Sequence, residues 1–248
     1  MKKFGLIGHP IAHSLSPALF KAAYDGKYAY DLIEGEDFET SYRRFAEEYN
    51  AINVTAPFKE PAFSKADILS EECKATGATN LLVKTPEGIK AYNSDFLGVR
   101  MWLSEVAEDL KGVKILIVGL GGAGKAAAAA AESLGMEVIR MNRTVRDSTT
   151  HPLDEFRQYF READIIIYNI PTAIPALKEL TESDFAADRP KHILEANYKD
   201  PSMAEILKPF GSKAVYTGGR TWLLYQAVTG YEILTGEKPD LRRMSDVL

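Results

Sequence analysis

Residues 119–124 read Gly-Leu-Gly-Gly-Ala-Gly, a G-x-G-x-x-G string between a β-branched apolar run and an alanine-rich stretch. With a strand before it and a helix after it, such a string binds the pyrophosphate of a dinucleotide. Gly119 permits the tight turn and Gly121 the close approach of phosphate, with Gly122 and Ala123 at the mouth of the helix. The helix N-terminus adds free N–H groups and a positive dipole end. About twenty residues on, where an NAD binder carries Asp or Glu, stands Asn142-Arg143-Thr144. A carboxylate there accepts from the ribose hydroxyl and repels a 2′-phosphate, whereas an arginine clamps that phosphate. Arg143 without an acid at this position points to NADP, and Arg146 is the second candidate clamp. The bland alternatives are a glycine turn without a ligand and arginines that are solvated surface charges.

Four further polar clusters sit where strands end and loops begin. Ser14-Leu15-Ser16-Pro17 precedes a helical stretch, and Asn53-Val54-Thr55-Ala56-Pro57-Phe58-Lys59 ends a strand. Gly77-Ala78-Thr79-Asn80 starts a strand, and Tyr92-Asn93-Ser94-Asp95-Phe96-Leu97-Gly98 leads into a helix. Each has a local explanation. Ser16 suits a helix cap with Pro17 at the first position. Asp95 suits a cap for a helix from Phe96. Thr55 and Asn80 suit bonds to nearby backbone groups, and Lys59 suits a surface. Residue types alone reach an NADP-linked oxidoreductase for a polyol-like substrate.

The elements that must position these residues fall into two halves. In the second half, strands at 114–118, 137–141, 164–168, 192–196 and 213–216 alternate with helices at 124–134, 154–161 and around 203–208. That order predicts right-handed crossovers and a doubly wound, mostly parallel sheet of Rossmann type. The alanines at 126–131 suit a helix packed tightly on it. The first half alternates too, with strands at 4–7, 28–33 and 51–55, helices at 17–24 and 38–49, and a hairpin over 80–92. A helix from Phe96 to about Ala107 bridges the halves, and a helix over 221–234 returns. The expected architecture is α/β with residues 1–95 plus 221–248 as an N-terminal substrate-binding domain. Residues 96–220 form the NADP-binding domain, with a cleft between the two.

Composition narrows the classes. The 248 residues are 46% hydrophobic and 26% charged, with a net charge of -5 that argues against nucleic acid or an anionic membrane as the main partner. The opening apolar run is too short for a signal-peptide core or a membrane span. A single cysteine, Cys73, and four histidines without ligand spacing give no metal site. The expectation is a cytoplasmic, metal-free enzyme acting on a small molecule, as a monomer or homodimer.

Taken together and in order, the clusters resemble the shikimate dehydrogenase family over nearly the whole chain. Residues 8–17, Gly-His-Pro-Ile-Ala-His-Ser-Leu-Ser-Pro, are similar to its signature for two substrate-binding serines, here Ser14 and Ser16. Residues 53–59 are similar to its Asn-Val-Thr-x-Pro-Phe-Lys segment, which implies a substrate contact by Thr55 and catalysis by Lys59. Residues 77–80 and 93–95 resemble the segments that supply the substrate asparagine, Asn80, and the catalytic aspartate, Asp95. Residues 219–226, Gly-Arg-Thr-Trp-Leu-Leu-Tyr-Gln, resemble a segment with Gly219 by nicotinamide and Gln226 on substrate. Tyr198 resembles a further carboxylate contact. The resemblance implies reversible reduction of 3-dehydroshikimate to shikimate by NADPH, a step toward chorismate and the aromatic amino acids, with Lys59 carrying the proton.

Three segments depart from the family pattern. Asn-x-Thr-Pro-x-Gly-Met is replaced by Asn169-Ile170-Pro171-Thr172-Ala173-Ile174-Pro175, without glycine. Asp-x-x-Tyr-x-Pro is replaced by Glu195-Ala196-Asn197-Tyr198-Lys199-Asp200-Pro201, one residue longer before the proline, and Trp222 stands where methionine is common. All three fall on the nicotinamide side. The rival readings are an NAD-linked quinate/shikimate dehydrogenase, against which Arg143 argues, and a catalytically silent NADP-binding regulator, against which Lys59 and Asp95 argue.

Overall fold

A computed structural model describes residues 2–145 and 147–248, so Arg146 lies outside the described residues. The chain divides into two units, Met1–Gly98 with Leu224–Leu248, and Val99–Leu223.

The first unit opens with β1 (Lys3–Gly8), α1 (Ser16–Ala23), β2 (Ala29–Glu34), α2 (Phe38–Glu48) and β3 (Ala51–Val54). It continues through α3 (Lys59–Ser64), β4 (Ile68–Leu69), α4 (Glu71–Thr76), β5 (Leu81–Thr85) and β6 (Gly88–Tyr92). Its six strands form one mixed sheet in the order β2-β1-β3-β5-β6-β4. β1 pairs in parallel with both β2 and β3, β5 is antiparallel to both β3 and β6, and β4 is parallel to β6. Phe38 and Phe45 of α2 pack with Ile7, Ile33, Ile52, Val54 and Phe58 to form the core on one face. α2 starts at Asp37, whose carboxylate accepts the Thr40 N–H at 2.8 Å. Residues 59–76 carry elements that hydrophobic periodicity does not announce. α3 buries only Ala62 and α4 only Cys73, so neither has a stripe to detect.

α5 (Ser94–Val106) starts two residues before the expected Phe96. The reason is its cap. Asn93, not Asp95, accepts the Phe96 N–H at 3.2 Å. Asp95 therefore stands inside the first turn with its carboxylate available for other partners.

The second unit contains β7 (Lys114–Val118), α6 (Gly122–Ser133), β8 (Glu137–Met141), β9 (Thr150–His151), α7 (Phe156–Glu162) and β10 (Ile165–Tyr168). α8 (Pro175–Lys178), β11 (Lys191–Glu195), α9 (Ala204–Leu207) and β12 (Ala214–Thr217) complete it. All pairings are parallel, in the order β12-β11-β10-β7-β8-β9, which is the doubly wound Rossmann arrangement. Ala126 to Ala131 are all buried, as close packing of a helix on a sheet requires. α10 (Gly219–Thr235) and α11 (Leu241–Ser245) end the chain. The unit boundaries at 98/99 and 223/224 fall inside α5 and α10, so the chain passes between units within helices. Among the described residues no helix is long and apolar enough to cross a membrane. None of their His, Cys, Asp and Glu side chains form a group of three or more suited to a metal ion.

Candidate active site

In open sheets, ligands bind at the carboxyl ends of strands where the order reverses. In the first sheet that point lies between β1 and β3, because the chain leaves β1 for β2 on one side and reaches β3 on the other. The loops after these two strands are laced together: Thr55 N–H donates to Ile7 O at 2.9 Å and His9 N–H to Ala56 O at 3.1 Å. Gly8 allows this approach, since a Cβ there would stand 2.4 Å from Thr55 Cγ2 and 2.7 Å from Ile11 Cγ2. Each loop carries a cis X–Pro bond, His9–Pro10 and Ala56–Pro57.

The β1 loop holds the serine pair. Ser14 Oγ donates to Ser16 Oγ at 3.1 Å and accepts the Ser16 N–H at 3.2 Å. The residue preceding α1 is Leu15, and no side chain caps the helix, so Ser16 does not serve as its cap. Both serines are half-buried and retain hydroxyl capacity. Tyr231 OH donates to Ser16 O at 3.0 Å, and Tyr30 OH donates to Asn53 Oδ1 at 2.7 Å. Burial pushes both tyrosine hydroxyls well above their ordinary range, which keeps them protonated donors.

Lys59 is the first residue of α3, where the β3 loop turns into helix, and its Nζ lies 2.9 Å from Asp95 Oδ2. The lysine side chain is 35% exposed and the aspartate 19%, so the pair is fixed yet reachable by a ligand. Asn80 is held on both sides by backbone bonds: its N–H donates to Tyr92 O at 3.1 Å, and its carbonyl accepts Val54 N–H at 2.8 Å. Its Oδ1 accepts the Ser94 N–H at 2.7 Å, so the local explanation for this residue is realised as well. Ser94 Oγ donates to Gln226 Oε1 at 3.1 Å. The Gln226 backbone is pressed onto α5, for a Cβ at Gly98 would stand 2.6 Å from Gln226 N. The first turn of α5 thus joins Lys59, Asn80 and Gln226 through two successive residues, Ser94 and Asp95. Residue types had not singled out Ser94. Its only signal was its place between Asn93 and Asp95, and a fully buried serine has no compositional mark.

In the second unit the glycine string behaves as its spacing predicts. Gly119 takes φ +89°, and Gly121 stands immediately before α6. A Cβ at Gly124 would lie 1.9 Å from Gly119 O, so the turn closes only with glycine there. A Cβ at Gly121 or Gly122 would meet nothing within 4 Å, so the space before the helix N-terminus is open, where its free N–H groups favour an anion. The residues present therefore fit a dinucleotide. Asn142 ties this turn to the end of β8, accepting Leu120 N–H at 3.4 Å and donating to Thr144 O at 3.2 Å. Arg143 and Thr144 are exposed beside it.

The other flagged residues of this unit line a cavity of about 260 Å³, with Tyr198 and Gly219 joined by Asn197, Tyr216 and Arg220. Gly219 is required by close approach, since a Cβ there would stand 2.4 Å from Ala196 O. Two of the three departures from the expected pattern have physical accounts. In the segment without glycine, Tyr168 OH donates to Thr172 O at 2.7 Å and accepts Ile174 N–H at 3.1 Å, so a buried tyrosine organises the turn. In the longer segment the Glu195 carboxylate, fully buried, accepts from Ser202 N–H, Ser202 Oγ, Met203 N–H and Tyr216 OH at 2.6–3.1 Å.

Comparison with known proteins places these sites in context. Residues 6–82 match the shikimate dehydrogenase substrate binding domain. Residues 96–194 match the NAD binding domain of D-isomer specific 2-hydroxyacid dehydrogenases. The chain is 30% identical to the NADP-dependent shikimate dehydrogenase of Natronomonas pharaonis, covering 100% of this chain and 98% of that one. It is similar to a shikimate dehydrogenase crystallised with NADP+, at 25% identity and a TM-score of 0.82, covering 100% and 94% of the two chains. It is also similar to shikimate 5-dehydrogenase of Thermus thermophilus in complex with NADP(H) and shikimate. There the identity is 26%, the TM-score 0.76, and the coverage 100% and 98%.

Proposed function

This chain belongs to the shikimate dehydrogenase family of NAD(P)-binding oxidoreductases, and from that premise we propose that it reversibly reduces 3-dehydroshikimate to shikimate with NADPH. The observation that supports this most is the 2.9 Å pairing of Lys59 with Asp95 at the head of α5. The first unit takes the substrate and the second the dinucleotide. When bound, the nicotinamide supplies or takes up the hydride. Lys59 Nζ gives a proton to the ring carbonyl oxygen during reduction and removes it from the hydroxyl during oxidation. Asp95 holds the ammonium in place and accepts from a ring hydroxyl. Ser14 and Ser16 donate to the substrate carboxylate, with Tyr198 as a further contact, and Thr55, Asn80 and Gln226 bind ring hydroxyls. Gly119, Gly121, Gly122 and Ala123 hold the pyrophosphate, and Gly219 lies by the nicotinamide. Asn142, Arg143 and Thr144 take the 2′-phosphate end.

Steady-state rates with shikimate and with quinate, each against NADP and NAD, test this directly. The highest kcat/KM is expected for shikimate with NADP, and a preference for quinate with NAD would overturn the assignment. For the cofactor, Arg143→Ala is expected to weaken NADP binding by about 1.5–3 kcal/mol, the scale of a charged hydrogen bond, and to leave NAD nearly unchanged. Titrating both dinucleotides into the variant checks it. An equal loss for both would mean that Arg143 serves the structure of the loop.

A further inference from the structure

We propose that Tyr168 is a positioning residue for the dinucleotide: its hydroxyl closes the turn over 169–174, and that turn braces the glycine turn that takes the pyrophosphate. This rests on the reading above, in which the glycine turn at 119–124 holds the pyrophosphate. The second sheet reverses its strand order between β7 and β10, because the chain leaves β7 for β8 on one side and reaches β10 on the other. The crevice at that switch point has two walls, the glycine turn after β7 and residues 169–174 after β10. The walls touch. Asn169 N–H donates to Val118 O at 2.8 Å, and a Cβ at Gly119 would stand 3.0 Å from Ile170 Cγ1 and 3.3 Å from Asn169 C.

The second wall does not close through its own backbone. Among the described residues, no backbone–backbone hydrogen bond joins two residues of 169–174, and Pro171 has no N–H to give. Tyr168 supplies the closure. Its hydroxyl donates to Thr172 O at 2.7 Å and accepts the Ile174 N–H at 3.1 Å, one oxygen serving as donor and acceptor at once. The side chain is fully buried, and burial pushes the hydroxyl up to about 12, so it keeps the proton that the first of these bonds needs. Asn197 Nδ2 adds one tether from outside the turn, to Pro171 O at 3.0 Å. Ile170 and Ala173 pack on the core that includes Tyr168, so ring and hydroxyl fix the turn together. Without the hydroxyl the turn gains freedom that binding must remove, and Ile170 loses its fixed place against Gly119. The pyrophosphate is common to NADP and NAD, so the loss falls on both alike.

Calorimetric titration of NADP and of NAD into the wild-type protein, Tyr168→Phe, Ile170→Ala and the double variant tests this. Melting temperature and KM for shikimate at saturating NADP are read alongside. Tyr168→Phe should raise Kd for both dinucleotides about three- to tenfold, the scale of one hydrogen bond, and by the same factor within about twofold. KM for shikimate should change less than about twofold. In the Ile170→Ala background, the tyrosine substitution should change either Kd less than about twofold, because the contact it serves is already gone. Unchanged Kd values with a lowered melting temperature overturn the positioning role and leave Tyr168 a stability residue. A loss confined to NADP also overturns it, since that would place the effect at the 2′-phosphate. Additive losses in the double variant overturn it too. If Tyr168→Phe does not fold, Ile170→Ala decides alone: it should weaken both dinucleotides alike, and unchanged Kd values overturn the role. A wild-type protein that binds neither dinucleotide overturns the dinucleotide reading itself and the role of Tyr168 with it.

Discussion

Replacing Lys59 with alanine is expected to lower the turnover of shikimate by roughly two to four orders of magnitude, the usual contribution of positioned acid–base catalysis. The side chain lies 2.9 Å from Asp95 and is one-third exposed, a geometry that serves proton exchange with a ligand better than it serves packing. Among the described residues no other ammonium pairs with Asp95. KM for shikimate should change little, since in the proposed mechanism the lysine's main interaction is with charge developing on the carbonyl oxygen. NADP affinity should stay as it is, because the glycine turn at 119–124 belongs to the other unit. Asp95→Asn should slow turnover and raise KM more strongly, because the amide loses both the ionic hold on Lys59 and an acceptor for a ring hydroxyl. Asp95 is not the cap of α5, a task done by Asn93, so this variant should keep its melting temperature within a few degrees. Stopped-flow measurement of NADPH formation across a range of pH separates the alternatives. A Lys59→Ala protein that keeps most of the wild-type rate sinks the mechanism.

What the sequence made legible follows from how each feature is encoded. Most of the Rossmann half was readable because its central strands are apolar runs and its helix α6 is a block of alanine, whereas the two-residue strand β9 and the four-residue helix α8 were not. The glycine string was readable because a Cβ at Gly124 collides with backbone, a constraint no other residue can meet. α3 and α4 were not readable: each is six residues long and buries a single side chain. The roles of Ser16 and Asp95 as helix caps were reasonable from residue type, yet the structure gives neither task to them. Capping depends on which residue stands just outside the first turn, and Leu15 and Asn93 take those places, of which only Asn93 offers a side-chain acceptor. Ser94 was invisible for another reason. It makes two contacts, one across 14 residues of chain and one across 132, and only the folded chain brings those partners together.

The departure at 195–201 carries the other large effect. Glu195→Ala should destabilise the second unit by about 2–5 kcal/mol, the scale of leaving several buried donors without their acceptor. The carboxylate is fully buried and accepts four donors, so alanine leaves Ser202 N–H, Met203 N–H and the two hydroxyls to find new partners. Burial and the neighbouring Glu195 both push the Tyr216 hydroxyl upward, so it remains a donor and cannot relieve the loss by ionising. Glu195→Gln should lose less, about 1–3 kcal/mol, because one oxygen still accepts while the new NH2 group faces donors. Glu195→Asp should fall between these two. The extra residue before Pro201 and the extra methylene of glutamate relative to the usual aspartate are expected to be matched, so the shorter arm should fail to span the longer loop. The consequence for function is local. The loop that Glu195 anchors carries Asn197 and Tyr198, and Tyr216 lines the same cavity, so NADP affinity should drop along with stability while Lys59 and Asp95 keep their pairing. Urea unfolding followed by a probe in the second unit, with NADP titration on the folded protein, measures both effects. A Glu195→Ala loss below about 1 kcal/mol would mean that the four donors find water or new partners, and that the carboxylate does not hold this loop.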